Sequence, residues 1–203
     1  TSRKSFLFLS IPIFKVLSVA RAESNALALK QQFHSPAFLF PAKMSMESTY
    51  ADCCVNLKDS MFQGVYHDKP RHAPDFHLVL QRARDNGVNT ILGVSGSLQD
   101  SRETTELAQE HPGIFATVGV HPTRVGELEE SENPEGVLDE LAALAADPKN
   151  KVVAVGEIGL DYDRLQFCPK EVQLKWFDRL LDLADRCKLP VVYHNRNTGG
   201  DFE

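Results

Sequence analysis

Three residues of the types that bind divalent cations directly follow short apolar runs: His121 after TVGV, Glu157 after VVAVG and His194 after PVVY. Asn56 closes a fourth such run, ADCCV. Imidazole nitrogen and carboxylate oxygen together suit Zn2+, Mn2+ or a similar ion, whereas Mg2+ would lean on the carboxylates. Such an ion lowers the pKa of bound water toward neutrality and polarises a phosphoryl or carbonyl oxygen, so the chemistry on offer is metal-assisted hydrolysis. Arg124 and Arg196 stand three and two residues beyond the two histidines. A guanidinium at either place could clamp a phosphate through two parallel hydrogen bonds. Competing chemistries lack their signatures: there is no GxSxG elbow, no Walker A loop and no GxGxxG opening a helix. Gly93–Gly96 reads as a turn, and His67, His72 and His77, five apart, share no helical face and read as surface residues.

Periodicity predicts the elements that must position these groups. Apolar runs rich in β-branched residues at 51–56, 88–94, 114–120, 151–156 and 190–193 predict strands. Helical patterns lie between or beside them at 74–86, 100–111, 134–146 and 169–187. The strands are apolar on both faces, as parallel strands covered on both sides are. Pro169 suits a first helical position, and Val172, Trp176, Leu180, Ala184 and Cys187 recur at spacings of three and four, the stripe of a packed core face. Ser101 and Asn133-Pro134 predict helix starts, Asn86-Gly87 a helix end. Strand starts fall 26 to 39 residues apart, the size of a βα unit in either a (βα)8 barrel or an open doubly wound sheet. In both folds the carboxyl ends of the strands line the active face, so Asn56, His121, Glu157 and His194 are expected on one rim. Only 160 residues follow residue 43, against roughly 250 for a barrel, so length alone favours the open sheet.

Charge narrows the partners. The chain has a formal net charge of −6, but residues 1–43 hold six Lys/Arg and one acid, which leaves −11 on the remainder. This argues against nucleic-acid binding by bulk electrostatics; a phosphate-handling site here needs a local patch or a bound cation. Cys53, Cys54, Cys168 and Cys187 form no CxxC pair and no disulfide framework, and read as reduced, mostly buried thiols of an intracellular protein. Residues 1–43 are basic, acid-poor and serine-containing, the character of an organelle-targeting segment or of sequence ahead of a true start at Met44 or Met46. They are expected to be disordered or only locally helical. Pro12 and Lys15 break their apolar stretch, so no bilayer span is expected.

The runs TVGVHPTR, VVAVGEIGLDYDR and LPVVYHNR resemble three successive signatures of the TatD family of metal-dependent deoxyribonucleases, and ADCCVNLKDSMFQGVY resembles its first strand and loop. The likeness covers about residues 52–203. It implies an α/β TIM-type (βα)8 barrel, a divalent-metal centre on the upper rim (Mg2+, Mn2+ or Zn2+), and hydrolysis of phosphodiester bonds in DNA, with DNA the partner and no membrane or obligate protein partner. By motif match Glu157 and His194 are metal ligands, His121 attends the scissile phosphate, Asp161 orients the ligands or the water, and Arg196, Arg124 and Asn56 contact substrate.

Two departures qualify the likeness. Many relatives open with an H-x-H pair, where this chain has Cys54 and Asn56. Asn56 is read as a contact and Cys54 as core. The family also uses a His from the sixth strand and an Asp from the eighth, and these are not found before Glu203. The chain is therefore read as the first five units of a barrel, with little activity of its own expected. Metal-dependent amide or ester hydrolysis on the same barrel, and a non-catalytic truncated isoform, are the alternatives. Cytoplasm or nucleus is the expected location, or mitochondrion or plastid if residues 1–43 are a transit peptide.

Overall fold

In the computed structural model, which describes residues 8–10 and 50–202, the main-sheet strands from residue 50 onward lie side by side in the order in which the chain makes them, and a strand at residues 8–10 is added beside the last. The elements are β1 (Phe8–Ser10), β2 (Tyr50–Val55), β3 (Val65–Tyr66), β4 (Lys69–Pro70), α1 (Phe76–Asp85), β5 (Val88–Gly93), α2 (Leu98–Glu110), β6 (Ile114–Val118), α3 (Gly126–Glu129), α4 (Pro134–Ala146), β7 (Val152–Asp161), α5 (Lys170–Cys187) and β8 (Val191–Arg196). The main sheet runs β1-β8-β7-β6-β5-β2 and every pairing is parallel. A doubly wound sheet reverses direction at a switch point; here successive strands from β2 through β5, β6 and β7 to β8 each add to the same side. That order is the arc of a (βα)8 barrel and decides against the open sheet favoured by length. Of residues 1–43, expected to be disordered or at most locally helical, three are placed, as the strand β1 beside β8; the rest of that segment lies outside the described residues.

One face of the arc is closed by helices. Trp176, Leu180, Leu183 and Ala184 of α5 pack with Leu138 and Leu141 of α4 against Val118, Val155, Ile158 and Val191 of the strands. Val172 and Cys187, expected on the buried stripe, lie at its margin and are only partly buried. The Trp176 indole N–H donates to Glu129 Oε2 at 2.7 Å, which satisfies the one polar atom of an otherwise buried ring. A smaller cluster of Leu57, Leu80, Ile91, Ala108 and Ile114 closes the β2–β5 end.

Several boundaries differ from the expected ones. The helix expected from Ser101 begins earlier: Ser97 caps α2, its hydroxyl accepting from Asp100 N at 3.0 Å. Ser101 is buried inside the first turns, its Oγ donating to Ser97 O at 2.7 Å. Asn133 caps α4 as expected, accepting from Gly136 N at 3.0 Å. The strand expected at 151–156 continues to Asp161, and the one at 190–193 to Arg196, so Glu157, Asp161 and His194 stand within strands. The hairpin β3–β4 and the short helix α3 had no expectation. Among the described residues no helix is long and apolar enough to cross a membrane.

Candidate metal centre

Glu157 and Asp161 are four residues apart in β7, so the strand's two-residue period puts both on one face. Gly159 lies between them, opposite His194 of β8 in the register. Its φ is +144°, and a Cβ there would stand 2.0 Å from the His194 carbonyl oxygen, so only glycine lets the two strands approach so closely. The His194 imidazole then spans the two carboxylates: Nε2 is 3.0 Å from Asp161 Oδ2, and Nδ1 is 2.9 Å from Glu157 Oε1. Gly119, just beyond β6, serves the same kind of approach on the other side, since a Cβ there would stand 2.7 Å from the Gly156 backbone.

His121 reaches the group from the turn after β6. Its backbone N–H donates to Gly96 O at 3.0 Å, and its side chain caps the 3-10 turn Pro122–Arg124. His121 Nε2 lies 3.2 Å from His194 Nδ1. A buried pair supports this end of the strands: Ser95 Oγ donates to Thr117 O at 2.9 Å, Ser95 N donates to Thr117 Oγ1 at 3.1 Å, and Thr117 Oγ1 donates to Gly156 O. Glu157 N donates to Ser95 O at 2.8 Å, so the loop after β5 fixes the backbone that carries the carboxylate.

Donors and acceptors fix where the protons sit. Thr123 N–H donates to His121 Nδ1 at 3.2 Å and Thr123 Oγ1 lies 2.7 Å from the same atom; with Nδ1 accepting, the proton of neutral His121 is on Nε2. Asp161, fully buried, faces His194 Nε2, which must be the donor there. His194 Nδ1 lies 2.9 Å from Glu157 Oε1 and 3.2 Å from His121 Nε2: with a proton it pairs with Glu157 but faces the His121 N–H, and without one it accepts from His121 but faces the Glu157 lone pairs, so no placement of protons satisfies all three. Ligand atoms of His121, Glu157 and His194 all lie within 4.8 Å of one another. A concentration of lone pairs in a half-buried place is what a cation relieves, and a carboxylate holding the far nitrogen of a ligating imidazole is the usual support for one. The residues fit a divalent cation held by Glu157 Oε1 and His194 Nδ1.

Burial, and then the neighbouring His194 charge, push the His121 imidazole down to about 4, so it is neutral at pH 7. Burial pushes the Glu157 carboxyl up, but its hydrogen bond with His194 and the charges of the two imidazoles outweigh that and hold it below the usual range. Because His121 stays neutral, the His194 hydrogen bond is the contribution that keeps Glu157 ionised.

The centre opens into a cavity of about 880 Å3 whose lining includes Cys54, Asn56, Arg124, Arg164 and Arg196. Cys54, expected in the core, is a correction. It sits at an irregularity of β2, with φ +74° and no partner between the pairs Cys53–Leu92 and Val55–Gly93, and the bulge turns its side chain to the cavity. Burial, then the Glu157 charge, push its thiol up to about 12, so without a cation it stays protonated beside Glu157. All four cysteines are free, but Cys168 alone is buried; Cys53, Cys54 and Cys187 are half-buried. Asn56 is exposed on the rim, its Oδ1 accepting from Lys58 N at 3.3 Å.

The two rim arginines are already engaged. Arg124 donates to Asp100 at 2.7 Å and to Glu127 at 2.7 and 3.3 Å; Arg196 donates to Asp163 at 2.9 Å. Among the described residues, two of the five N–H groups of Arg124 and both amino groups of Arg196 face no carboxylate and are placed to meet a phosphate. Arg164, which the sequence reading missed, stands 3.9 Å from Asp161 Oδ2. The cavity lining thus sets three arginines against the carboxylates of Asp100, Glu157 and Asp163, so it has no net charge to attract an anion without a cation.

Comparison with known proteins agrees with this geometry. The TatD related DNase family matches residues 52–203. Deoxyribonuclease Tat-D of Schizosaccharomyces pombe is 40% identical over 156 residues, which cover 75% of this chain and 50% of that protein. The 3'-5' ssDNA/RNA exonuclease TatD of a Rahnella species is 36% identical over 149 residues, covering 73% and 50%. The crystal structure of a TatD family hydrolase from Entamoeba histolytica superposes with a TM-score of 0.68 at 41% identity, covering 77% of this chain and 53% of the other. The chain spans about half the length of the curated relatives it matches.

Proposed function

From the premise that this chain belongs to the TatD family, we propose that it carries the metal-holding half of a nuclease that hydrolyses phosphodiester bonds in single-stranded nucleic acid. The observation that carries the reading is the convergence of Glu157 Oε1 and the His194 Nδ1 lone pair, with Asp161 behind the imidazole. Glu157 and His194 would hold the cation; with one imidazole and one carboxylate, the mixed donors suit Mn2+ or Zn2+ better than Mg2+. A cation there would bring the pKa of a water molecule near neutrality and draw charge from a phosphoryl oxygen.

The chain's own residues do the rest. Asp161 holds His194 in the tautomer that offers Nδ1. His121 presents Nε2–H, neutral at pH 7, to an oxygen of the phosphate, and the Thr123 backbone keeps that proton on Nε2. Arg124 and Arg196 offer their free N–H groups to the flanking phosphates, and Asn56 contacts the same strand at the rim. The ionic partners of the arginines hold them in place before substrate arrives, which limits the ordering entropy lost on binding. The free thiols suit a reducing, intracellular compartment.

The test is cleavage of end-labelled single-stranded and duplex DNA by the purified chain with Mn2+, Mg2+ or EDTA, beside Glu157→Ala and an ester substrate. Slow, metal-dependent loss of nucleotides from single strands, abolished in Glu157→Ala, is the expected result. Turnover of the ester alone would move the function to another bond; turnover that survives Glu157→Ala would remove the centre described here.

A further inference from the structure

The loop between β7 and α5 displays apolar side chains that the fold does not use. Phe167 is 66% exposed and Leu165 41%, both beside the carboxyl end of β7, the edge of the sheet that carries the metal centre. Exposed single apolar residues are ordinary on a protein surface. This loop is different because it is pinned. Gln173, fully buried in the first turn of α5, accepts from Asp161 N at 2.8 Å and donates to Asp161 O at 3.0 Å and Cys168 O at 2.8 Å. One amide therefore closes the loop at both ends. Cys168, the residue after Phe167, is fully buried in the main core.

The pin also ties the loop to the chemistry. Asp161, held by Gln173 through its backbone, is the residue whose carboxylate holds His194. Phe167 N donates to Arg164 O at 3.0 Å, closing a turn, and Arg164 lines the cavity. The ends of such a turn lie within about 7 Å of one another.

We propose that Phe167, with Leu165 beside it, is a stacking platform for the base of the nucleotide next to the bond in the cavity. The inference rests on the nuclease reading above and names the part of the substrate that the loop recognises. Single-stranded nucleic acid suits the platform because every base offers a π-face, whereas the bases of a duplex are already stacked. It also suits the charge. With −11 on the residues after 43 and the cavity arginines each paired with a carboxylate, phosphate attraction is weak, and a base contact takes a larger share of the affinity. Gln173 acts as a positioning residue, setting the platform in register with the centre.

The experiment compares binding of a phosphorothioate oligothymidylate, resistant to cleavage, with binding of its abasic counterpart, in Mn2+, for the wild-type chain, Phe167→Ala and Phe167→Trp. Wild type is expected to prefer the base-bearing strand by about five-fold or more, Phe167→Ala to lose that preference, and both to bind the abasic strand equally. Phe167→Trp should keep the preference and show quenching of its exposed indole, against the constant signal of buried Trp176. Equal preference in wild type and Phe167→Ala would overturn the platform and leave the nuclease reading standing. Failure of wild type to bind either strand would overturn the nuclease reading, and the platform with it.

Discussion

Asp161→Asn separates orientation of a ligand from ligation. The substitution keeps shape, and the backbone of residue 161 stays held by Gln173 at 2.8 and 3.0 Å. Its Oδ1 can still accept from Asp163 N, now 3.2 Å away. What changes is the atom opposite His194 Nε2, where a carboxylate oxygen at 3.0 Å becomes an amide N–H. Two donors would then face each other, so His194 moves its proton to Nδ1, toward Glu157 Oε1 at 2.9 Å. The metal-free protein loses little, because that bond to a carboxylate is a good one. The cation loses the Nδ1 lone pair and can recover it only by leaving a buried donor unpaired, about 1–3 kcal/mol. Mn2+ affinity should fall by about 10- to 100-fold, as removal of such supporting carboxylates typically does. The assay is Mn2+ titration by calorimetry, with thermal melting of the metal-free proteins alongside. An affinity within about two-fold of wild type would refute the tautomer argument. So would a metal-free protein that unfolds, because the loss would then be structural.

Two further outcomes follow from the same contacts. Gly159→Ala places a Cβ against the His194 backbone at a φ of +144°, and should destabilise by about 3 kcal/mol or more; an unchanged melting temperature would show that β7 and β8 can separate there without loss. His121 has its pKa depressed by burial, and secondarily by His194, from 6.5 to about 4, so in metal-free protein the unfolded chain takes up its proton first as pH falls. Stability from this group is therefore complete above about pH 6.5 and lost as pH falls to about 4, a difference of about 3 kcal/mol. Urea unfolding of wild type and His121→Gln across that range checks it, and an equal fall in both proteins would assign the acid sensitivity elsewhere.

Much of the site was visible in the sequence because a parallel sheet delivers polar residues where apolar runs end. His121, Glu157 and His194 were found that way, and the structure brings their ligand atoms together. The strand lengths were not visible for the same reason. GEIGLD and HNR break the apolar pattern although the backbone remains extended, since Glu157, Asp161 and His194 serve the site while Ile158 and Leu160 stay buried between them. Cys54 was misplaced because a bulge shifts a side chain between faces without any change in residue type. The start of α2 was legible and overlooked: Ser97 and Asp100 have capping-box spacing, ahead of Ser101. Ser95 with Thr117, and Arg124 with Asp100, are 22 and 24 residues apart, and no local pattern announces such pairs. Strand order was the remaining unknown, because βα units of equal length fit both a barrel and an open sheet until the neighbours are seen.

We propose a division of labour in which Glu157 and His194 hold the cation while His121, its Nδ1 facing the Thr123 N–H, donates a proton from Nε2 and does not ligate. Mn2+ titration of wild type, Glu157→Ala, His194→Ala and His121→Ala tests this most directly. Binding should be lost in the first two variants and stay near wild-type affinity in His121→Ala. Loss in His121→Ala as deep as in Glu157→Ala would contradict it, making His121 a third ligand.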